Sequence, residues 1–205
     1  MGERVGTRRE EIGGKIGMKK FELTAEYVTN IFGKKLFRIK ALVEFGIVKE
    51  GDLGGFVEKE SNIDDDGNAW VSGNAQVFGN AKISGNAQVY GNAKVFGNAL
   101  VFGNAWISGN AQVYGNACVA ENLDYVIVGG FGSEQQTITF FCQKDGSVGA
   151  KCGFFYGTLE EFREKVLETH GESKYAQEYL MIADLMELHF AGGCDGNDKD
   201  NHSCL

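Results

Sequence analysis

The chain of 205 residues is long enough for one elongated domain or two small ones, and its formal net charge is −8 at pH 7. It contains 30 Gly and no Pro, which suits a repeat protein with Gly at its corners better than a disordered chain. No apolar run approaches the ~18 residues of a membrane span, and charged residues interrupt any signal peptide at the N-terminus. The five Cys are irregularly spaced, so we expect no disulfide framework and a reduced, cytoplasmic protein.

The segment before the repeats divides into two parts. Residues 1–18 are rich in Gly and charge and are predicted to form a flexible leader. Residues 19–66 alternate in hydropathy and contain turn signals, which indicates short strands. Val57 and Ile63 are six residues apart, and three consecutive Asp follow them, which suggests a degenerate first coil with an insertion. Because a solenoid end exposes apolar core and unpaired backbone, we predict that 19–66 is a cap.

The central segment, residues 67–120, repeats the hexad Gly-Asn-Ala-x-(Val/Ile)-x nine times without insertion or deletion. A fixed short period with one branched aliphatic residue per unit is typical of a parallel β-solenoid, in which each unit is one short strand plus a corner. Val or Ile is predicted to point inward with Ala beside it. Gly-Asn is predicted to form the corner, because both residues tolerate positive φ.

These hexads resemble those of the hexapeptide-repeat, left-handed β-helix proteins. The resemblance implies a mainly β fold in which three hexads make one triangular coil, so that residues eighteen apart stack. Side-chain amides stacked in this way can hydrogen-bond along the axis. The predicted amide ladders are Asn68/Asn86/Asn104, Asn74/Asn92/Asn110 and Asn80/Asn98/Asn116.

After Ala120 the period ends, and residues 121–190 are predicted to form a small α+β domain. Three strands are predicted, at 125–128, 137–141 and around 149–155, with an Asp-Gly turn between the last two. A capping box at Thr158 opens one helix, and a second is expected over 172–190. Residues 191–205 are Gly- and Asp-rich and are predicted to be disordered.

The order of these parts also resembles a set of hexapeptide-repeat proteins of phages and prophages. In that set a leader like Phe37-Arg38-Ile39-Lys40-Ala41-Leu42 and Gly51-Asp52-Leu53-Gly54-Gly55 precedes Gly-Asn-Ala repeats. A module like Cys152-Gly153-Phe154-Phe155-Tyr156-Gly157-Thr158-Leu159-Glu160-Glu161-Phe162 follows them. The resemblance covers residues 19–190 and implies the architecture and a phage or prophage origin, but no particular activity.

The enzyme hypothesis is a coenzyme-A-dependent acyltransferase, a common activity of left-handed β-helices. Such enzymes usually place a His base beside the solenoid and a loop over the acyl donor. The repeats contain no His, Asp, Glu or loop, and all three His lie after them. We therefore predict no catalytic residue. His170 is expected at a helix C-terminus, where it caps the helix or contacts a partner.

The cysteines predict neither a local disulfide nor a metal site. A two-residue turn at Asp145-Gly146 pairs Cys142 with Gly149, so a bridge to Cys152 is not expected. The tail offers soft ligands, but their spacing fits no tight zinc motif, and we expect an ordinary tail with no metal and no cofactor. The residues concerned are Cys194, Asp198, Asp200, His202 and Cys204.

Aromatic residues at outward positions of the repeats predict an oligomer interface. Stacking at eighteen residues aligns them in register, and a contiguous apolar strip usually marks a contact. Hexapeptide-repeat proteins characteristically trimerise along their prisms, so the resemblance implies a homotrimer. The predicted interface residues are Phe78, Phe96 and Tyr114 on one face, Trp70 and Trp106 on the second, and Leu100 and Phe102 on the third.

A basic group in the cap has two interpretations. Lys34, Lys35 and Arg38 could contact an acidic partner or a phosphate, or they could form the solvated face of a strand. Stacking aromatics of a known nucleic-acid module are not interleaved with them, so nucleic acid is not expected as a partner.

Together these observations predict a non-enzymatic, oligomeric binding protein. Its solenoid would be an assembly rod, and its C-terminal domain or an inter-subunit groove would contact a host protein or a small nucleotide ligand. An anti-defence role, against a host immune protein or a nucleotide signal, is the sharper form of this hypothesis. The alternatives are the acyltransferase and a structural scaffold component.

Overall fold

The computed structural model describes residues 19–132 and 134–194. Within these ranges the protein is mainly β, with a parallel solenoid followed by an antiparallel sheet and two helices, which confirms the predicted fold class. No helix in the described ranges has both the length and the apolar character needed to cross a membrane. The predicted leader, residues 1–18, and most of the predicted tail, residues 195–205, lie outside the described residues.

The N-terminal part is a hairpin that continues into the solenoid. Strands β1 (Phe21–Thr29) and β2 (Lys35–Ala41) are antiparallel, and β3 (Leu53–Val57) pairs antiparallel with β2. A 3-10 helix (Glu60–Asn62) follows, and the buried Asn62 donates its side-chain N–H to Ala81 O at 2.8 Å. These contacts place the end of the cap directly against the first repeats.

The solenoid contains nine two-residue strands. They are β4 (Trp70–Val71), β5 (Gln76–Val77), β6 (Lys82–Ile83), β7 (Gln88–Val89), β8 (Lys94–Val95), β9 (Leu100–Val101), β10 (Trp106–Ile107), β11 (Gln112–Val113) and β12 (Cys118–Val119). Each pairs in parallel with the strand eighteen residues away, giving the faces β4-β7-β10, β6-β9-β12 and β5-β8-β11. The third face continues through β3 to β2 and β1 as a six-stranded sheet, because β3 pairs in parallel with β5.

The hexad specifies both the interior and the corners of the solenoid. The Ala at the third position and the Val or Ile at the fifth position of every hexad are 0% exposed, as the pattern predicts. The corner Gly67 has φ 75°, and a Cβ there would lie 2.5 Å from Gly85 O, so both its conformation and its space require Gly. Asn side chains bond along the axis, for example Asn68 Nδ2 to Asn86 Oδ1 at 3.0 Å.

The C-terminal module caps the other end of the solenoid. After a 3-10 helix (Asn122–Asp124), strands β13 (Tyr125–Val128), β14 (Ile138–Cys142), β15 (Val148–Cys152) and β16 (Phe155–Thr158) form an antiparallel sheet. One face of the sheet meets the last coil: Phe141 belongs to the solenoid core, and Gln112 N donates to Thr139 Oγ1 at 2.9 Å. The other face, with Phe140, packs against the helices α1 (Leu159–His170) and α2 (Lys174–Phe190).

Two sequence-based expectations about this module are wrong. The sheet has four strands rather than three, because Gly153 and Phe154 form a two-residue turn inside the predicted third strand. Cys142 and Cys194 form a disulfide with a Cα–Cα distance of 5.3 Å, although no disulfide was expected. The bridge joins the end of β14 to the residues after α2. It also removes Cys194 from any metal site, and His202 and Cys204 lie outside the described residues.

Candidate functional site

The C-terminal module contains a cavity of 200 Å³ between its sheet and its helices. The hairpin β15–β16 provides one wall, α1 and α2 provide two others, and the loop before β14 closes the fourth. The lining residues are Glu134, Gln136, Cys152, Phe155, Phe162, Lys165, Val166, Thr169, His170 and Tyr179. We call this cavity the aromatic pocket.

Four rings line the aromatic pocket. Phe162 lies with its centroid 5.8 Å from that of Phe155 and 6.1 Å from that of Tyr179. His170 stands 5.5 Å from Tyr179 and 6.4 Å from Tyr175. The capping box at Thr158 fixes the start of α1, since Glu161 N donates to Thr158 Oγ1 at 3.2 Å, and this sets which α1 side chains face the sheet.

Burial favours the neutral forms of two polar groups of the pocket, the Cys152 thiol and the Tyr179 hydroxyl. Burial raises the pKa of the Cys152 thiol, with Lys151 opposing and Glu134 adding to the effect. Burial also raises the pKa of Tyr179, and the acidic side chains of Cys152, Glu134 and Glu178 add to the effect. The thiol donates to Gln136 Oε1 at 3.6 Å. A nucleophilic thiolate requires the opposite shift, so this environment suits binding of an uncharged group better than covalent chemistry.

The loop beside the pocket is tied to α2. Tyr179 OH donates to Phe131 O at 3.4 Å, and Gly132 N donates to Glu178 Oε2 at 3.2 Å. Gly132 has φ 72°, and a Cβ there would lie only 1.8 Å from Tyr179 OH. The loop therefore approaches α2 more closely than any other residue type would permit.

The first predicted interface face does not lie in solvent. Phe78 and Phe96 stack with centroids 4.7 Å apart, but they are only 6% and 8% exposed. Phe32 and Leu36 of the β1–β2 hairpin cover them. The expectation of a solvent-facing ladder is wrong for these two residues, because the chain's own cap occupies that face. Their neighbour Tyr114 is half-buried, 4.7 Å from Tyr156.

The residues of the second and third predicted faces differ in their exposure to solvent. Trp70 is buried against Phe21 and Phe45, so the expectation that it faces solvent is also wrong. Trp106 is 51% exposed and makes an edge contact with Tyr90 at 6.4 Å. Leu100 and Phe102 are half-buried. Trp106 is thus the most exposed of the predicted interface residues.

The predicted partner contacts are split between the two ends of the molecule. Lys34 pairs with Glu58 at 2.8 Å, and Lys35 lies over the ring of Tyr27 at 4.3 Å. Arg38 pairs with Glu26 at 2.8 Å and covers the ring of Phe56. These internal partners favour the interpretation of a strand face. His170 instead lies in the aromatic pocket.

A second feature of the module was missed in the sequence. Met181, Leu185 and Leu188 form a stripe on the outer face of α2 and are 72%, 58% and 73% exposed. Leu123 is 74% exposed, and its carbonyl oxygen lies 3.2 Å from His189 Nε2, beside the end of α2. The signal was present as a second apolar spacing of four and three residues on α2, next to the stripe that packs inward. We call these four residues the outer stripe.

The comparison with known families agrees with the geometry of the repeats. The model described as YdcK Beta solenoid repeat matches residues 75–91, about one coil of the solenoid. No curated protein matches the chain. The chain is therefore a β-solenoid repeat protein with a cap at each end. Among the described residues there is no group of His, Cys, Asp and Glu that could hold a metal ion.

Proposed function

We propose that the protein is a non-enzymatic binding protein that works as an oligomer, with the solenoid as a rigid rod and the C-terminal module as the contact domain. The outer stripe is the observation that carries this proposal. Three large apolar side chains of one helix, each more than half exposed, form a surface that the described part of the chain leaves uncovered. Contiguous exposed apolar surface commonly marks a site of protein association.

The spacing of the stripe favours a helical partner. Residues 181, 185 and 188 are separated by four and three positions, which is the spacing of a seam between packed helices. The stripe has a polar border, because Asp184 and Glu187 lie on the same helix and form ion pairs with Arg163 of α1. An apolar centre with a polar rim is the usual organisation of a protein interface.

The sharper form of the proposal is an anti-defence role. Its support is the resemblance of residues 19–190 to a set of phage and prophage proteins. In this form the partner of the outer stripe is a host immune protein, and binding of the C-terminal module would inhibit it. Sequestration of a nucleotide signal between subunits is the corresponding proposal for a small ligand. A homotrimer remains the expectation that the hexapeptide-repeat resemblance implies.

The test is a comparison of partner capture by the wild type and by a Leu185→Asp, Leu188→Asp variant. We expect a host protein to copurify with the wild type, and the purified pair to bind directly in a calorimeter. Two buried aspartates should weaken this binding at least about 100-fold, since each leaves an unpaired charge at the contact. Ile47→Asp, Leu53→Asp replaces two exposed apolar residues of the N-terminal cap, far from the stripe in the chain, and this matched control should bind normally.

Two results would contradict the proposal. One is equal binding of the same partner by the wild type and the double variant, with both folded by circular dichroism. The other is turnover of acetyl-coenzyme A on an amino-sugar acceptor that disappears in His170→Ala, which would favour the acyltransferase.

A further inference from the structure

Phe154 is the most exposed large apolar side chain among the described residues. It occupies the second central position of the two-residue turn between β15 and β16, where Cys152 pairs with Phe155. Gly153, at the first central position, has φ 53°, as a two-residue hairpin turn with Gly first requires. Phe154 is 105% exposed, so its ring touches almost nothing in its own chain. A tight turn therefore presents a bare aromatic ring at the surface of the module.

The aromatic pocket lies directly beside this ring. Cys152 and Phe155, which flank the turn, both line the pocket. Its volume of 200 Å³ is below the ~300–1,000 Å³ of typical small-molecule sites. A cavity of about 150 Å³ is enough to hold benzene. The pocket is thus the right size for one aromatic side chain, and its rings offer edge and face contacts to it.

We propose that two copies of this chain associate around a two-fold axis by exchanging Phe154, so that the ring of each copy enters the aromatic pocket of the other. A two-fold contact uses the same patch on both copies, and each residue that projects must meet a recess on that same patch. The adjacency of Phe154 and the pocket meets this requirement. The inference rests on the oligomeric part of the proposed function and makes the oligomer a dimer instead of a trimer.

The apolar area around the pocket agrees with what such a dimer needs. Phe131, Leu167 and Tyr175 are 42%, 50% and 42% exposed and lie next to pocket residues. With Phe154 they offer roughly 400–500 Å² of apolar surface per copy, taking ~150–250 Å² for each large side chain. A standard interface buries ~800 Å² per partner, of which somewhat more than half is apolar.

The charges around the pocket permit the insertion. Cys152 and Tyr179 are both neutral because burial raises the pKa of each. Lys165, the Lys among the lining residues, is more than half exposed and pairs with Glu168 at 2.7 Å, so it can remain in water at the rim. The lining residue Glu134 is exposed and accepts from Gln136 Nε2, and Lys151 donates to Gly153 O in the turn. An entering ring therefore displaces water without burying an unpaired charge.

Analytical ultracentrifugation of three variants tests this contact. Phe154→Ala removes the ring, and Thr169→Trp fills the mouth of the pocket from an exposed position. Each should raise the dimer dissociation constant at least about 30-fold, the scale of a central interface residue. Ile47→Ala, an 83% exposed apolar residue in the N-terminal cap, is the matched control and should leave the constant unchanged.

Mixing the two variants distinguishes exchange from a general loss of surface. Phe154→Ala keeps its pocket and Thr169→Trp keeps its ring, so a mixture should form heterodimers through one of the two insertions. Cys152 is the free thiol among the described cysteines, and Cys118, Cys142 and Cys194 are disulfide-bonded. Its alkylation, measured by peptide mass spectrometry, should be slow in the concentrated wild type and fast in Phe154→Ala.

Self-association of Phe154→Ala at wild-type strength overturns the inference, and so does alkylation of Cys152 at a rate independent of protein concentration. A trimeric wild type also overturns the two-fold arrangement. The Leu185→Asp, Leu188→Asp variant separates this inference from the proposed function. It should still dimerise and protect Cys152 but no longer bind the partner protein. Phe154→Ala should instead lose the dimer.

Discussion

The solenoid and the C-terminal module bury their apolar residues in opposite ways. In the solenoid, the Ala and the Val or Ile of each hexad are completely buried, and outward Asn side chains bond to one another. In the module, a cavity remains beside a fully exposed Phe154, the outer face of α2 is apolar, and Lys151 is buried. In a strict repeat, every hexad places the same residue types at its fixed positions. The pocket and the exposed apolar face of α2 lie where the period has ended, whereas Trp106 and Tyr90 are the exposed large apolar residues of the repeats.

The largest effect that separates the two regions is expected from a buried charge. Val95→Asp, at a 0% exposed position in the middle of the solenoid, should destabilise the fold by more than about 4 kcal/mol, because a carboxylate there has no partner. Leu185→Asp introduces the same group on α2 and should change stability by less than about 0.5 kcal/mol. Urea unfolding of both variants measures the difference, and similar midpoints would contradict it.

The next effect concerns the covered aromatic ladder. Phe96→Ala should lower the free energy of unfolding by about 3 kcal/mol. Phe96 lies beneath the β1–β2 hairpin, and its ring centroid is 4.4 Å from that of Tyr114. Light scattering should show an unchanged mass. A lower mass together with unchanged thermal stability would instead identify the ladder as a contact between subunits.

The disulfide should affect the module and not the solenoid. Cys194→Ser opens a bridge between residues 52 positions apart, so we expect a loss of about 2–4 kcal/mol. Calorimetry should show this loss in the transition of the module, and reductant should lower the wild type at least as far, because Cys118 is disulfide-bonded as well. Cys152→Ser is the control. Equal stability of Cys194→Ser and the wild type under oxidising conditions would exclude a stabilising bridge.

The smallest effect is a dependence on pH that arises in the module. Burial lowers the pKa of Lys151 from its ordinary value, with Cys152 opposing the shift. The unfolded chain therefore holds this proton at pH values where the folded chain has lost it. The contribution of Lys151 to stability should rise with pH from its folded pKa up to the ordinary value of about 10.4. The raised pKa values of Cys152 and Tyr179 act in the opposite direction, so this contribution is measured as the difference between the wild type and Lys151→Met. Lys151→Met should remove this rise, and identical slopes in the two proteins would contradict the assignment.

Adjacent residues show what the sequence could predict. The inward position of Val95 follows from the period alone, because each hexad places its branched residue at the same point. The burial of its neighbour Phe96 does not, because it depends on Phe32, which lies far away in the sequence and reaches the ladder only when the hairpin folds back. Local pattern specifies the coil, and long-range packing decides which outer face stays in water.

The module shows the same limit for the candidate site. The helix start at Thr158 was predicted correctly from its capping box. The turn at Gly153 and Phe154 was missed, although a Gly at the first of two central positions is a recognised hairpin signal. The bridge between Cys142 and Cys194 could not be read from spacing, because it depends on where α2 ends relative to β14.

Because residues eighteen apart stack, the number of hexads determines both the distance between the two caps and their rotation about the solenoid axis. The two caps are separated by stacked coils that each advance about 4.8 Å, so every three hexads change the distance between the caps by one coil. Adding eighteen residues would lengthen the rod and leave the module facing the same direction. Adding six would instead turn the module, with Phe154 and the outer stripe, onto the next face of the prism. Natural variation in repeat number would therefore alter the direction in which the module is presented without changing any residue that it presents.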